Sequence, residues 1–144
     1  MKKKVKLTCI IDDDKIHVHL IKKVIEIKQL SEGLLVFRNG MEALNHFKQI
    51  SNSPNPDSPV EEQRLPDIIF LDLHMPIMGG WEFLNEFMKI RNNFEKKISV
   101  YVVSSSIDPQ DLERAKSFEM VTDYLIKPIA LKKFEKIFNK NTAA

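Results

Sequence analysis

The chain has 144 residues and contains little cysteine, little net charge and no long apolar run. Cys9 is the only cysteine, so no disulfide can form within the chain, and its apolar neighbours indicate a place in the core. A formal net charge of +2 is too small to argue for nucleic-acid or membrane binding. No apolar run approaches the roughly 18 residues that span a bilayer, and no segment resembles a signal peptide. These absences favour a cytoplasmic protein with no nucleic-acid or membrane partner.

The composition that is present suits one folded domain. Hydrophobic residues make up 43% of the chain and can form a core, while 29% charged residues suit a solvated surface. We therefore expect a single domain over residues 1–144. One segment differs, because residues 51–66 read SNSPNPDSPVEEQRLP and contain four of the seven prolines. This composition predicts a proline-rich loop insertion between the second helix and the third strand.

Apolar segments alternate with amphipathic segments along the whole chain. The apolar segments predict five strands, at residues 5–11, 33–37, 67–71, 99–103 and 124–126. Amphipathic helices follow these strands, and Asp14, Asn39 and Asp108 stand where helix caps are expected. Continuous apolar strands separated by helices are typical of a parallel sheet that is covered on both faces. The sequence therefore predicts an α/β fold, a (βα)5 doubly wound parallel sheet of five strands.

The first predicted helix has apolar residues at helical spacing, which predict the stripe that faces the sheet. The stripe consists of Ile16, Leu20, Val24 and Ile27, and it is widened by Ile21 and Ile25. His17 and His19 are two residues apart, so they face different sides of this helix and cannot form a metal-binding pair.

Polar residues follow the ends of four of the five predicted strands. They are Asp12–Asp14, Asp72, Ser104–Ser106 and Lys127–Pro128, after the first, third, fourth and fifth strands. Since the carboxyl ends of parallel strands meet at one edge of the sheet, these groups are expected to lie together. Such neighbours would explain why the apolar run IIFL, residues 68–71, ends on the carboxylate of Asp72, because a buried charge without a partner is costly.

The charges at this edge do not balance. Asp12, Asp13 and Asp72 bring three negative charges, and Lys127 brings one positive charge. Two carboxylates about 4 Å apart repel by roughly 4 kcal/mol at an effective dielectric constant near 20. A hard divalent cation would remove the excess, and Mg²⁺ suits a site with few protein ligands. A cation, a lysine and a hydroxyl around a carboxylate are the parts of a phosphoryl-transfer site, in which the aspartate itself can accept the phosphoryl group.

Four motifs of the chain resemble those of the receiver domain of two-component response regulators. They follow the family's order and read CIIDDD, IIFLDLHMPIMGG, VYVVSSS and DYLIKP, at residues 9–14, 68–80, 100–106 and 123–128. The resemblance implies a flavodoxin-like fold with strand order 2-1-3-4-5. It also implies a stand-alone receiver that takes a phosphoryl group from the phosphohistidine of a sensor histidine kinase or a histidine phosphotransfer protein, with Mg²⁺ as the cofactor.

The same resemblance implies a metal site at the acidic residues. Asp72 would be the phosphoacceptor and a metal ligand, Asp13 would bind Mg²⁺ directly, and Asp12 would act through a water molecule. The backbone carbonyl of His74 would be a further ligand, and this role does not depend on the side chain, which is Asn or Asp in many relatives. The imidazole of His74 and the hydroxyl of Ser106 would instead tune the lifetime of the phosphoryl group.

The resemblance further implies which groups surround the phosphoryl oxygens. Ser104 would donate a hydrogen bond to one oxygen and Lys127 would pair with another, and the Lys127–Pro128 peptide bond would be cis. Tyr124 would be the aromatic switch residue, whose ring turns inward when the phosphoryl group draws Ser104 towards it. Gly79 replaces the Asp of a common Asp-Gly turn, where we expect flexibility to matter more than charge.

Two other functions stay open. A phosphatase of the haloacid dehalogenase type would need a second Asp two residues after Asp72, where His74 stands. A pseudo-receiver would ignore phosphate and act only as an interaction module. We expect a signalling domain that catalyses its own phosphorylation and dephosphorylation, rather than an enzyme with a separate substrate. Because no output module follows the last predicted helix, we expect its output to be contact with an unknown downstream protein.

Overall fold

A computed structural model describes residues 4–52, 65–94 and 96–142. Within these ranges, one parallel sheet is formed by β1 Val5–Ile11, β2 Ser31–Phe37, β3 Ile68–Asp72, β4 Ser99–Ser104 and β5 Val121–Ile126. The order across the sheet is β2-β1-β3-β4-β5. The predicted α/β fold and strand order are therefore confirmed.

Helices connect the strands as predicted, namely α1 Lys15–Lys28, α2 Gly40–Asn52, α3 Gly80–Ile90, α4 Pro109–Lys116 and α5 Leu131–Asn141. A short 3-10 turn, Arg91–Asn93, extends α3. The predicted caps Asp14, Asn39 and Asp108 are confirmed, because each side chain accepts a hydrogen bond from a backbone N–H in the first turn of its helix. These caps stabilise helix starts at the carboxyl edge of the sheet, where the polar residues lie.

The sheet is covered on both faces. On one face, α2 and α3 enclose an aromatic core, in which the ring centroids of Phe47 and Phe87 are 5.2 Å apart. On the other face, α1 and α5 cover the sheet, and Phe134 of α5 stacks on Phe70 of β3 at 5.2 Å. Every residue of β3 is buried, including Asp72 at its end. Burial on both faces explains why this strand has a continuous apolar sequence.

The inner face of α1 differs from the predicted stripe. Ile16 and Ile27 are 83% and 74% exposed, whereas His17, Ile21 and Ile25 are buried. Leu20 is also exposed, at 51%, and the buried residues follow an i, i+4 spacing that starts one position later than the predicted stripe, so the predicted rotation of the helix is wrong. The physical reason is that a polar residue, His17, occupies the first inward position, where the apolar pattern alone gives the wrong helix rotation.

Other boundaries also differ from the predictions. β5 begins at Val121 because edge-strand residues with exposed side chains still pair with β4, which the short apolar run does not predict. α2 continues to Asn52, and most of the predicted insertion, residues 53–64, lies outside the described residues. Cys9 is buried in the core, as predicted. Among the helices of the described ranges, none is long and apolar enough to cross a membrane.

Candidate functional site

The carboxyl edge of the sheet collects the polar residues that the sequence predicts. β1 leads into Asp12 and Asp13, β3 ends on Asp72, β4 ends on Ser104, and Lys127 directly follows β5. Asp12, Asp72 and Ser104 are 4%, 6% and 0% exposed, whereas Asp13 is exposed to solvent. Two buried carboxylates and a buried hydroxyl thus lie at one end of the sheet. The Lys127–Pro128 peptide bond is cis, as the family resemblance implies.

Three carboxylates form a compact acidic cluster. One ligand oxygen from each of Asp12, Asp13 and Asp72 lies within 4.8 Å of the other two. The Nζ atom of Lys127 lies 3.1 Å from Asp12 Oδ2 and 3.6 Å from Asp72 Oδ1. The predicted convergence of these four residues is therefore confirmed, and one lysine is shared between the two buried carboxylates.

The Asp12 carboxylate is held by three donors. Its Oδ1 atom accepts the backbone N–H of Asp14 at 2.9 Å, and its Oδ2 atom lies 3.0 Å from His17 Nδ1 and 3.1 Å from Lys127 Nζ. Burial raises the pKa of Asp12, but the hydrogen bonds from His17 and Asp14 and the charge of Lys127 outweigh it and lower this pKa overall. Asp12 is therefore ionised at neutral pH.

The Asp72 carboxyl group shows the opposite balance. Burial and the negative charge of Asp12 raise the pKa of Asp72 from its usual 3.8 to about 6, although Lys127 opposes them. Removal of water and repulsion by a like charge both disfavour the ionised form of this group. Asp72 thus has charge that its protein neighbours do not fully neutralise.

Ser104 and Tyr124 are joined through the loop that follows β4. Ser104 Oγ accepts the backbone N–H of Ser106 at 3.1 Å, and Tyr124 Oη donates to the carbonyl of Ser106 at 2.9 Å. The hydroxyl of Ser106 donates to Asp111 Oδ2 of α4 at 2.7 Å. The backbone N–H of Lys127 donates to the carbonyl of Ser104 at 2.9 Å. A change at Ser104 can therefore reach both the Tyr124 ring and the start of α4.

The loop between β3 and α3 passes close to the site. Gly79 has φ of −79°, an angle that any residue can adopt. Its backbone therefore does not need the conformational freedom of glycine that we expected. The requirement is for space, because a Cβ atom on Gly80 would lie 2.5 Å from the carbonyl oxygen of Asp72. His74 lies in the same loop with an exposed side chain. The glycine pair thus allows the start of α3 to approach the end of β3.

His17 is the residue of this site that the sequence interpretation missed. Its ring is 7% exposed and contacts a carboxylate of the acidic cluster. The different sides predicted for His17 and His19 are confirmed, since one is buried and the other exposed, but helix spacing does not suggest a contact with Asp12. The available signal was the i, i+4 series of His17, Ile21 and Ile25, which places the ring on the inner face of α1 next to the end of β1.

Comparison with known proteins identifies the family. The family model of the response regulator receiver domain matches residues 8–139. The chain belongs to this family. As a receiver of two-component systems, it shares 29% identity over 131 residues with the response regulator Rcp1 of Synechocystis, a match that covers 88% of this chain and 80% of Rcp1. The sensory transduction protein LytT of Oceanobacillus iheyensis is 36% identical over 76 residues, and the match spans only 28% of its length.

Solved structures agree with this assignment. A two-component response regulator from Cytophaga hutchinsonii is 27% identical and superposes with a TM-score of 0.80, covering 96% of the receiver and 98% of that chain. The phosphorylated cyanobacterial phytochrome response regulator RcpA is 26% identical, with a TM-score of 0.71 and coverage of 94% and 89%. The Mn²⁺-bound form of Rcp1 is 25% identical, with a TM-score of 0.70 and coverage of 94% and 90%.

The acidic pocket of this receiver has the chemistry of a divalent metal site. Its donor atoms are carboxylate oxygens, which hard cations prefer. With Lys127 counted, Asp12, Asp13 and Asp72 leave an excess of negative charge, and the raised pKa of Asp72 reflects it. A divalent cation would neutralise this excess, so the residues present could hold one.

Proposed function

We propose that this receiver accepts a phosphoryl group on Asp72 from the phosphohistidine of a sensor histidine kinase or a histidine phosphotransfer protein. The observation that carries the proposal is the buried Asp72 carboxylate, in a cluster where Lys127 is shared with Asp12. Membership of the receiver family supports it, because receivers take phosphoryl groups from histidine kinases. A purely structural carboxylate would not need two further carboxylates beside it.

The chemical step is a transfer between nitrogen and oxygen. An Asp72 oxygen attacks the phosphorus atom, and the bond from phosphorus to the imidazole nitrogen breaks with its electron pair on nitrogen. That nitrogen takes up a proton from solvent as the histidine leaves, and Asp72 becomes an acyl phosphate. With a pKa of about 6, the carboxyl group is mostly ionised at neutral pH and therefore nucleophilic. Lys127 lies close enough to pair with the incoming phosphoryl oxygens.

The cofactor in this proposal is Mg²⁺. Asp13 and Asp72 would bind it directly, Asp12 would act through water, and the backbone carbonyl of His74 would complete the protein ligands. When bound, the ion would neutralise negative charge on the transferring group and on the carboxylates around it. Support comes from the acidic cluster of this chain and from the Mn²⁺-bound form of its relative Rcp1.

The phosphorylated state would change contacts with a downstream protein. An oxygen of the new phosphoryl group would accept a hydrogen bond from Ser104, whose Oγ now accepts from Ser106. The loop that carries Ser106 also contacts Tyr124 and Asp111, so the change would reach β5 and α4. Attack by water on phosphorus would later release inorganic phosphate and restore the carboxylate. The chain would thus be a signalling domain that catalyses its own modification, and its single-domain organisation and cytoplasmic location stay predictions.

Mass spectrometry tests the proposal directly. Incubation with acetyl phosphate and Mg²⁺, or with a phosphorylated histidine phosphotransfer protein, should add about 80 Da to the chain, which is one phosphoryl group. Asp72→Asn should abolish this addition, and chelation of Mg²⁺ should prevent it. Labelling that survives Asp72→Asn would overturn the assignment. Steady hydrolysis of p-nitrophenyl phosphate would favour a phosphatase, and absence of both Mg²⁺ affinity and labelling would favour a pseudo-receiver.

A further inference from the structure

The imidazole of His17 contacts the acidic cluster from the side of α1. Its Nδ1 atom lies 3.0 Å from Asp12 Oδ2, and its backbone N–H donates to the cap oxygen of Asp14 at 3.2 Å. Since Asp12 is an ionised carboxylate that can only accept, Nδ1 must carry the proton and donate it. Hydrogen bonds to ionised acceptors are about twice as strong as neutral ones.

The ring of His17 is buried beside an apolar groove. The ring lines an apolar groove of about 230 Å³ between α1 and the start of α5, formed with Leu20, Ile21, Val24, Ile129, Leu131 and Phe134. At 7% exposure, the ring has little access to water, which would otherwise compete for the Nδ1 proton. A hydrogen bond in such low-dielectric surroundings is stronger than the same bond in water.

The contact matters because Asp12 shares its lysine partner with Asp72. Lys127 Nζ lies 3.1 Å from Asp12 Oδ2 and 3.6 Å from Asp72 Oδ1. If Lys127 turns to a phosphoryl oxygen on Asp72, Asp12 Oδ2 loses a donor while it stays buried. The hydrogen bond from His17 would then be the one that remains on this oxygen among the contacts of the described residues. Without that bond, this buried carboxylate oxygen would have no protein donor, which is costly.

We propose that His17 is a positioning residue, whose Nδ1–H holds the Asp12 carboxylate in the orientation that serves the metal while Lys127 pairs with the phosphoryl group. This inference rests on the proposed function. It assigns to α1 a part in metal binding that helix spacing and the acidic motif do not predict. Partners that hydrogen-bond to a carboxylate near a metal affect metal affinity although they do not touch the ion.

Variants at His17 separate positioning from general stability. His17→Leu replaces the imidazole with an apolar side chain of similar size that has no hydrogen-bond donor. This variant should bind Mg²⁺ about tenfold more weakly in calorimetry. His17→Asn keeps an N–H near the place of Nδ1, and it should restore affinity to within about threefold of the native chain. Ile25→Ala is the matched control, since Ile25 is buried two turns later in the same helix and lies outside the groove that the His17 ring lines. It should lower the melting temperature and leave Mg²⁺ affinity unchanged.

Nuclear magnetic resonance on the native chain gives a test that needs no variant. The ¹⁵N resonance of His17 Nδ1 should move on Mg²⁺ addition with the midpoint found by calorimetry, whereas the ring of the exposed His19 should not respond. Native-like Mg²⁺ affinity in His17→Leu, or a His17 resonance unmoved at saturation, would overturn the inference while phosphoryl uptake still stands. If the native chain binds no Mg²⁺ and takes up no phosphoryl group, the proposed function and this inference fail together.

Discussion

Asp67 and Asp72 lie at opposite ends of β3, and their surroundings differ. Asp67 precedes β3 at the amino edge of the sheet, where its Oδ2 atom accepts the backbone N–H groups of Lys6 and Leu7 at 2.9 and 3.0 Å. Its Oδ1 atom pairs with Lys96 Nζ at 2.7 Å. Asp72 ends β3 at the carboxyl edge, where its lysine is also bound to another carboxylate. Asp67 therefore has two hydrogen bonds and a lysine partner, whereas Asp72 shares its lysine with Asp12.

The difference shows what separates a functional carboxylate from a structural one in this chain. The functional carboxylate has negative charge that its protein neighbours do not fully neutralise. Both side chains are largely buried, with 20% of Asp67 and 8% of Asp72 exposed, so burial alone would not distinguish them. The donors on Asp67 join β1, β3 and the chain before β4, which is a structural role. The neighbours of Asp72 include two further carboxylates, which favour a cation or a phosphoryl group as the missing partner.

The largest expected contrast is in phosphoryl uptake. Asp72→Asn should reduce labelling by acetyl phosphate and Mg²⁺ to background, because an amide oxygen is a poor nucleophile. Asp67→Asn, the same change at the other end of the strand, should leave labelling within about twofold of the native chain, as expected of a site outside the reacting groups. Intact-mass analysis measures both. If Asp67→Asn also lost labelling while remaining folded, the two ends of β3 would not be functionally separate.

For the free energy of unfolding we expect the opposite, with a larger loss from changes at Asp67 than from changes at Asp72. Asp67→Ala leaves the partly buried N–H of Leu7 without its acceptor and Lys96 without its partner, so the free energy of unfolding should fall by about 2 kcal/mol. Urea unfolding followed by fluorescence measures it, since Trp81 is the only tryptophan and stacks on Phe118. Asp67→Asn keeps one acceptor oxygen and should lie between Asp67→Ala and the native chain. A loss below roughly 0.5 kcal/mol, which is typical of surface substitutions, would contradict the structural role.

The pH dependence of the free energy of unfolding should show that the ionised form of Asp72 is disfavoured in the folded chain. The folded-state pKa of Asp72 is raised from 3.8 to about 6, so its stabilising contribution is present below 3.8 and is lost as the pH rises through about 6. Asp72→Asn has no carboxyl group that titrates, so it does not lose this contribution. The free energy of unfolding of the variant should therefore rise relative to that of the native chain between pH 4 and 7. At pH 7 we expect it to be more stable by about 1–2 kcal/mol, a value reduced for solvent screening.

Addition of Mg²⁺ provides the control for this measurement. The ion should stabilise the native chain at pH 7 and reduce its difference from Asp72→Asn, because a ligand that binds the folded state raises the free energy of unfolding. Urea unfolding curves at pH 4, 5, 6 and 7, with and without Mg²⁺, supply the comparison. If the difference in free energy of unfolding between the two proteins did not change with pH, the pKa of Asp72 would not be raised in the folded chain.

The alternation of strands and helices predicted most of the site. Once five strands are parallel, residues that follow them meet at one edge, so the grouping of Asp12, Asp72 and Lys127 follows from the order of the chain. The role of Asp67 is not predicted, because the donors to its carboxylate lie on β1 and in the segment before β4 and carry no local signal. Its position before an apolar run predicts only the first residue of a strand.

The rotation of α1 shows what the apolar pattern could not decide. Ile21 and Ile25 fit two overlapping stripes, one that starts at Ile16 and one that starts at His17. The second is the buried one, and from that position the His17 ring contacts the carboxylate of Asp12. A polar contact is thus part of the buried face of α1, and it becomes visible only when the end of β1 and the start of α1 are placed together.

The smallest expected effect concerns the lysine at the amino edge. Lys96 is 38% exposed, and exposed ion pairs contribute about 0–1 kcal/mol, so Lys96→Met should lower the free energy of unfolding by about 0.5 kcal/mol. Asp67 would still accept the N–H groups of Lys6 and Leu7, so this loss should be smaller than that of Asp67→Ala. Urea unfolding of both variants at low and high salt checks the order, since salt should reduce the Lys96 effect. If Lys96→Met were as destabilising as Asp67→Ala, the ion pair rather than the backbone hydrogen bonds would hold the amino edge together.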